Sequence, residues 1–209
     1  MYKIFEKLSS MKIIPVIVIN DASKSVALAN ALNEGGLPCA EVTFRTAAAA
    51  DAIREMTKAC PEMLVGAGTI LTPEQAIAAI DAGAKFTVAP GLNPLTVSYC
   101  VAKGVPMLPG VCTPSEVEQG LSLGLDVLKF FPAEAAGGVN MLKALSGPYK
   151  DLKFLPTGGI NQKNLREYLA LKNVIACGGS WFVSEKLIEE NNFSEITKLT
   201  REAVSLANS

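Results

Sequence analysis

The chain has 209 residues, of which 49% are hydrophobic, and its 19 basic and 20 acidic side chains give a formal net charge of −1. This length and apolar content suit one globular domain with a sizeable core, and the balanced charge gives no sign of a nucleic-acid surface. The sequence contains no histidine, which excludes His-based triads, His general bases and most zinc sites.

The N-terminal part of the chain predicts neither export nor a membrane location. No apolar stretch approaches the roughly 20 residues needed to cross a bilayer. No small-residue cleavage site follows the first apolar run, Ile13–Ile19, so we expect no signal peptide.

The five cysteines are widely spaced and form no CxxC pair. They are typical of reduced, mostly buried thiols, and we therefore expect a cytoplasmic protein.

Short apolar, β-branched runs recur along the chain at intervals of roughly 20 to 27 residues, the length of a compact strand–helix unit. The segments between them are rich in Ala, Leu and Glu and have helical periodicity, as in Ser23–Glu34 and Pro73–Ala82. The eight predicted strands are Ile13–Ile19, Cys39–Phe44, Leu64–Ile70, Phe86–Ala89, Pro106–Val111, Asp126–Phe131, Lys153–Pro156 and Val174–Cys177.

Several predicted helices carry start and stop signals. Thr72 precedes Pro73 and Glu74, an order typical of an N-cap residue, a proline at the first helical position and an acidic first turn. Thr113–Glu116 repeats this signal before a later helix. Glycines end several helices where C-cap glycines are expected, at positions 35, 36, 83, 104 and 124.

Eight alternating strand–helix units predict an α/β protein with a (β/α)8 TIM barrel as a single domain over residues 1–209. Tyr2–Leu8 predicts a short N-terminal helix that caps the bottom of the barrel. A doubly wound open sheet would also use parallel strands. The count of eight and the absence of GxGxxG after the first strand favour the barrel.

Lys129 stands in an otherwise apolar run, Val127–Pro132, on the sixth predicted strand. Lysine is almost never fully buried unless it is paired or functional. Burial disfavours the charged ammonium, and a neutral amine is the nucleophile that forms Schiff bases. From this stretch alone, a lysine at a strand end whose ammonium reaches water is the alternative.

Further polar residues fall at the carboxyl ends of the predicted strands, where such barrels carry their active sites. Glu41, Thr43 and Arg45 are spaced i, i+2, i+4, so we expect them on one face of the second strand. A carboxylate that can move protons and a guanidinium that can hold a substrate carboxylate therefore share an edge with Lys129. Taken as a pair alone, Glu41 and Arg45 are equally well explained by an ion pair that closes the core.

Two glycine-rich segments end the last two strands, Thr157-Gly158-Gly159 and Gly178-Gly179-Ser180. This is the frequent phosphate site of the barrel fold, because glycine lets backbone N–H groups approach an anion. We expect the N-terminus of a helix near Trp181-Phe182 to add a favourable dipole. The alternative is that these glycines only form tight turns.

Together these motifs resemble those of the 2-keto-3-deoxy-6-phosphogluconate (KDPG) aldolases, which also carry 4-hydroxy-2-oxoglutarate (KHG) aldolase activity. The resemblance covers nearly the whole chain, with no departure at the motif positions. It implies a barrel, usually a trimer, that needs no cofactor and no metal. The motifs are Glu41-Val42-Thr43-Phe44-Arg45, Gly66-Ala67-Gly68-Thr69, Leu128-Lys129-Phe130-Phe131-Pro132-Ala133-Glu134, Pro156-Thr157-Gly158-Gly159-Ile160 and Gly178-Gly179-Ser180.

The resemblance also implies roles for individual residues. Lys129 would be the Schiff-base lysine and Glu41 the general acid/base. The substrate would be held by Arg45 and Thr69 at the pyruvate carboxylate, by Pro90 and Phe131 along the pocket, and by Thr157, Gly158, Gly159, Gly179 and Ser180 at the phosphate.

The implied activity is cleavage of KDPG to pyruvate and glyceraldehyde 3-phosphate, as in the Entner–Doudoroff pathway. The expected partner is a small phosphorylated 2-keto acid, with neither nucleic acid nor membrane. An aldolase for the C4 epimer, 2-dehydro-3-deoxy-6-phosphogalactonate, is the nearest alternative. A phosphosugar isomerase or epimerase with similar phosphate loops and a non-catalytic phosphate-binding barrel are more distant ones.

Overall fold

The computed structural model describes residues 2–209, so Met1, the first residue of the predicted domain, lies outside the described residues. Within them, strands and helices alternate along the chain. The strands are β1 Ile13–Ile17, β2 Cys39–Thr43, β3 Leu64–Gly68, β4 Thr87–Val88, β5 Met107–Leu108, β6 Gly110–Val111, β7 Val127–Phe130, β8 Lys153–Pro156 and β9 Cys177–Gly179.

The helices are α1 Tyr2–Met11, α2 Ser25–Glu34, α3 Ala49–Ala59, α4 Pro73–Asp81, α5 Pro94–Ala102, α6 Pro114–Ser122, α7 Gly138–Ser146, α8 Leu165–Leu169, α9 Glu185–Glu189 and α10 Phe193–Asn208. A turn of 3-10 helix, Ala22–Lys24, precedes α2. Within residues 2–209, no helix has both the length and the apolar character needed to cross a membrane.

The strands pair in parallel and in chain order. One sheet has the order β5-β4-β3-β2-β1-β9 and a second has the order β6-β7-β8. The last strand pairs with the first, with Ile13 opposite Cys177. Two isolated parallel bridges, Phe154 to Val174 and Thr157 to Gly178, connect β8 with the region of β9. The fold is therefore parallel α/β, and the strand order lacks the reversal that a doubly wound sheet requires.

The fifth predicted strand, Pro106–Val111, is divided into β5 and β6 by Pro109. Proline has no N–H to donate to the ladder, so it interrupts regular pairing. Its carbonyl oxygen still accepts the N–H of Lys129 at 3.0 Å. The prediction of one continuous strand was wrong at this residue, although its two halves lie in the expected place.

The last strand also differs from its prediction, because Cys177–Gly179 and not Val174–Cys177 pairs with β1. Pairing with the neighbouring strand decides the strand limits here, against the local β-propensity of Val174. Glycine allows close packing at this point. A Cβ added at Gly178 would lie 2.4 Å from the Thr157 hydroxyl oxygen, and one added at Gly179 would lie 2.0 Å from the Trp181 ring.

A compact apolar cluster lies at the end of the strands that is remote from the predicted site. It contains buried residues from the strand starts, such as Ile14, Leu64 and Val127, together with Leu8 of α1. Ile4 and Phe5 pack against the same cluster. The predicted N-terminal helix is therefore present, is three residues longer than expected and covers this apolar end.

The predicted helix caps are confirmed. The Thr72 hydroxyl accepts the N–H of Gln75 at 3.3 Å. Thr113 and Glu116 form a reciprocal capping box at the start of α6. The predicted state of the cysteines is also confirmed, since all five are free thiols and three of them are buried.

Candidate active site

Lys129 and Glu41 form a buried pair of opposite charges. The Lys129 amine lies 3.6 Å from Glu41 Oε1, and the two residues are 4% and 0% exposed. The interpretation of Lys129 as a strand-end lysine that reaches water was wrong. Neither carboxylate oxygen of Glu41 accepts a hydrogen bond from residues 2–209. A buried carboxylate without donors is costly, so this pair calls for a functional explanation.

The strand register and a glycine position Glu41. Its neighbour Thr43 on β2 lies opposite Gly68 of β3. A Cβ added at Gly68 would lie 2.3 Å from Glu41 Oε1, so the carboxylate occupies the space that a side chain at position 68 would fill. On the other side, Lys129 lies opposite Gly110 of β6, another residue without a side chain. Small residues on the neighbouring strands therefore leave room for the charged pair.

Phe131 and the Arg45–Thr69 pair lie around this centre. The Lys129 amine is 4.9 Å from the centroid of the Phe131 ring, a cation–π distance. Arg45 donates through Nε to the Thr69 hydroxyl at 3.2 Å. Thr69 has a φ of 57°, which is unusual for a β-branched residue. Such a strained backbone is often found at functional sites.

Arg45 is not on the predicted face of the second strand. That strand ends at Thr43, and Arg45 lies in the turn that follows. The alternation of side chains therefore does not extend to Arg45, and the expectation that Glu41, Thr43 and Arg45 share one face was wrong. The Thr43 hydroxyl instead donates to the backbone oxygen of Ile17 at 2.7 Å.

A cavity of about 510 Å³ opens beside the buried pair. Seven predicted site residues line it: Arg45, Phe131, Thr157, Gly158, Gly159, Gly179 and Ser180. Glu185 also lines it, with a carboxylate that accepts the Asn20 amide at 2.6 Å. Pro90 does not line this cavity, and its carbonyl oxygen faces Gly110 on the neighbouring strand. The structure thus brings the arginine and both glycine segments together and leaves Pro90 apart.

The Gly158-Gly159 segment has both carbonyl oxygens engaged on the protein side. Gly158 O accepts the N–H of Glu134 at 3.1 Å. Gly159 O accepts the side-chain amides of Asn161 and Asn164, each at 3.0 Å. In a trans peptide the N–H points opposite to the carbonyl.

The N–H groups that follow these two carbonyls, on Gly159 and Ile160, therefore point away from those partners. Neither donates to an acceptor within residues 2–209. Unpaired N–H groups in a glycine segment that lines a cavity are suited to binding an anion. The positive φ angles of Gly158 and Gly159, 100° and 81°, make this conformation accessible mainly to glycine.

The Thr157 hydroxyl is buried and has no hydrogen-bond partner in the described chain. It provides a further polar group at the same wall of the cavity. The expected helix N-terminus at Trp181-Phe182 is absent, because these residues form a turn and α9 begins at Glu185 after the N-cap Ser184. Backbone N–H groups, hydroxyls and Arg45 therefore replace the predicted helix dipole as the features that favour an anion.

Sequence reasoning missed one hydrogen bond beside the glycine segment. The buried Tyr168 hydroxyl donates to the carboxylate of Glu134, which lies in the exposed turn after β7. Burial of the ring, and then the hydrogen bond and negative charge of Glu134, raise the pKa of Tyr168. The two residues are 34 positions apart, and no local pattern indicates their contact.

These features define a parallel α/β enzyme with a buried lysine–glutamate pair beside a cavity that is suited to an anion. The chain is 50% identical over 204 residues to 2-dehydro-3-deoxy-phosphogluconate aldolase of Haemophilus influenzae, which covers 98% of this chain and 96% of the relative. It is 46% identical over 197 residues to the KHG/KDPG aldolase of Escherichia coli K12, covering 94% and 92% of the two chains.

The fold is similar to a crystal structure of KDPG aldolase from Legionella pneumophila, in which pyruvate was captured at low pH as a covalent carbinolamine intermediate. The TM-score is 0.91 at 44% identity, and the match covers 95% of each chain. The family model of KDPG and KHG aldolases matches residues 4–199. The chain therefore belongs to the KDPG and KHG aldolase family.

Proposed function

We propose that this chain is a class I aldolase that cleaves KDPG to pyruvate and glyceraldehyde 3-phosphate and that also cleaves KHG. The relatives at 46% to 50% identity are named for these substrates. The observation that carries the proposal is the buried Lys129 amine, 3.6 Å from Glu41 and in contact with Phe131 at the edge of the anion-binding cavity. An isomerase or a simple binding protein would not require this amine.

Lys129 acts as the nucleophile. Once its ammonium proton has passed to Glu41, the neutral amine attacks the C2 ketone of the 2-keto acid, and loss of water from the carbinolamine gives a protonated imine. The imine accepts the electron pair of the C3–C4 bond as that bond breaks, and glyceraldehyde 3-phosphate leaves. The resulting enamine is protonated at C3 and hydrolysed, which releases pyruvate and restores the amine.

Glu41 serves as the proton carrier of this cycle. It takes the proton of the C4 hydroxyl as the aldehyde forms, and it lies close enough to Lys129 to assist the dehydration of the carbinolamine. Its lack of hydrogen bonds within residues 2–209 leaves both oxygens available for these transfers. Gly68 supports this role because it leaves the carboxylate free to face the amine.

The cavity holds the two charged ends of the substrate. Arg45, oriented by its hydrogen bond to Thr69, binds the carboxylate next to C2 and turns the ketone toward Lys129. Thr157, Ser180 and the glycine segments bind the phosphate at the other end. Phosphate binding would orient C4 and contribute remote binding energy to the transition state. Pro90 lies outside this cavity and would contact only the part of a substrate that extends beyond it.

We also propose that residues 1–209 form one domain in which the two sheets close into a (β/α)8 barrel. The pairing of β9 with β1 supports closure, as do the bridges from Phe154 to Val174 and from Thr157 to Gly178.

A cytoplasmic homotrimer is proposed from the resemblance. Asn93 connects the backbones of exposed Leu71 and Leu95, because its side chain donates to the Leu71 carbonyl oxygen and accepts the N–H of Leu95, and the two leucines are suitable for an interface. Light scattering after gel filtration measures the oligomeric state.

Pyruvate release from KDPG, followed by its reduction with lactate dehydrogenase and NADH, tests the activity. We expect turnover by the wild-type protein that a chelator does not reduce, and no turnover by Lys129→Ala with an unchanged circular dichroism spectrum. Near-normal turnover by that variant would contradict the assigned nucleophile. The C4 epimer, 2-dehydro-3-deoxy-6-phosphogalactonate, is assayed in parallel, and faster cleavage of it would indicate the alternative aldolase.

A further inference from the structure

The short helix α8 supports the anion-binding Gly158-Gly159 segment through two side-chain contacts, one made by Asn164 with the segment itself and one made by Tyr168 with Glu134, which binds the segment. Asn164 is the N-cap residue of α8, but its side chain makes no capping hydrogen bond to the helix. Asn164 Oδ1 instead accepts the N–H of Asn161 at 2.8 Å, and Nδ2 donates to Gly159 O. An asparagine at this position normally caps its own helix. Here it binds the loop.

The second contact comes from Tyr168, one helical turn after Asn164 and therefore on the same face of α8. Its ring is fully buried, and its hydroxyl donates to the Glu134 carboxylate. Glu134 donates its own N–H to Gly158 O. A Cβ added at Gly159 would lie 2.6 Å from Glu134 Cγ, so this side chain packs directly against the loop backbone.

Both carbonyl groups of the anion-binding segment are thus held by residues that do not line the cavity. Gly159 O is held by Asn164 and Asn161, and Gly158 O is held by Glu134, which Tyr168 fixes in place. Each carbonyl determines the direction of the N–H group in the same peptide. The Glu134 carboxylate accepts the hydrogen bond of the Tyr168 hydroxyl, and neither residue lines the cavity.

We propose that Asn164 and Tyr168 are positioning residues that set the affinity for the substrate phosphate by orienting the N–H groups of Gly159 and Ile160. This inference rests on the proposed aldolase function, because it concerns the phosphate end of that substrate. Neither residue touches the substrate. Their effect is specific for a ligand that carries an anion at this end.

Steady-state kinetics with and without the phosphate group tests this proposal. The substrates are KDPG and its unphosphorylated analogue, 2-keto-3-deoxygluconate. For Tyr168→Phe and Asn164→Ala, we expect KM for KDPG to rise by about tenfold, the loss typical of one hydrogen bond to a charged group, with little change in kcat. The kcat/KM for the analogue stays within about twofold of wild type, and inorganic phosphate inhibits the variants more weakly.

Three further variants separate positioning from general stability. Glu134→Gln keeps an oxygen that accepts the Tyr168 hydroxyl, so we expect KM near that of wild type, whereas Glu134→Ala should resemble Tyr168→Phe. The matched control is Arg166→Gln, which changes an exposed residue of α8 that does not line the cavity. It should leave both substrates unaffected.

An equal loss of kcat/KM on both substrates would overturn the proposal, because it would indicate a general structural defect. No change on KDPG for either variant would also overturn it. The rate at which borohydride traps pyruvate on each variant is measured in parallel and should be unchanged. If the wild-type protein itself neither traps pyruvate nor cleaves KDPG, the proposed function fails, which is a different outcome from a loss of phosphate selectivity.

Discussion

Two glycines on β3 allow stability and catalysis to be separated with one type of substitution. Gly66 and Gly68 are two residues apart, so a methyl group added at either one points to the same face of the strand. At Gly66 the new Cβ would lie 2.4 Å from the Phe86 ring, and at Gly68 it would lie 2.3 Å from Glu41 Oε1. Both substitutions to alanine therefore force a neighbour to move, but the neighbours differ.

The size of each effect follows from that neighbour. Phe86 is fully buried in the apolar cluster, and overpacking of such a core costs about 1–3 kcal/mol. The Cβ added at Gly68 would also lie 2.8 Å from Glu41 Cγ and 2.9 Å from Cδ, but this flexible side chain can move more easily than the packed Phe86 ring, so Gly68→Ala should destabilise the fold less than Gly66→Ala. The Glu41 oxygen must nevertheless move by at least about 0.7 Å to escape a contact shorter than 3.0 Å, and a displacement of this size at the proposed proton carrier should lower the rate by about 10- to 100-fold.

The assay combines urea unfolding of both variants with kcat for KDPG cleavage. We expect a crossover, in which Gly66→Ala has the lower free energy of unfolding and Gly68→Ala has the lower kcat. Single-turnover borohydride trapping of pyruvate should also be slower in Gly68→Ala. If Gly68→Ala retains wild-type kcat, the reasoning that the position of Glu41 relative to Lys129 limits catalysis is refuted.

Three other predictions concern separate parts of the molecule. Arg45→Lys removes the planar fork and the Nε–H that binds Thr69, so KM for KDPG should rise by about tenfold or more, while a KM within twofold of wild type would contradict bidentate carboxylate binding. Leu8→Ala empties a fully buried position under the strands and should lower the free energy of unfolding by about 2–5 kcal/mol, measured by urea titration, whereas no loss would show that α1 does not contribute to the core. Hydrogen bonds from the N–H of Cys112 and from Thr113 lower the pKa of Glu116 below its reference value of 4.5, so this carboxylate stabilises the fold above that pH and the contribution disappears as the pH falls through the lowered pKa. Glu116→Gln should therefore lose less Tm than wild type between pH 7 and pH 3, and equal losses would contradict this linkage.

The sequence was sufficient to predict the order of strands and helices because burial and capping leave local patterns. Thr72 and Thr113 began helices where their motifs indicated. Strand limits were less predictable. Gly178 and Gly179 have low β-propensity, yet they pair with β1. These positions require glycine because the Thr157 and Trp181 side chains occupy the space that a Cβ would need. That requirement exists only once the strands are adjacent.

Some features of the candidate site could likewise be predicted from the sequence, and others could not. Lys129 was detectable because a charge in an apolar strand is unusual, and the structure places it against Glu41. The contribution of Gly68 depends on the register between β2 and β3, and the link between Tyr168 and Glu134 joins distant parts of the chain. Neither leaves a signal within a sequence window. The expected helix dipole at Trp181 failed because the chain forms a turn there before Ser184 caps α9.

The central claim, that Lys129 forms a Schiff base with the 2-keto acid, is tested most directly by reduction with borohydride in the presence of pyruvate. Peptide mass spectrometry then locates the adduct. The account predicts one stable pyruvyl modification on Lys129, formed with loss of cleavage activity, and none without pyruvate. An adduct on another lysine, or full activity after treatment with no adduct, would contradict it.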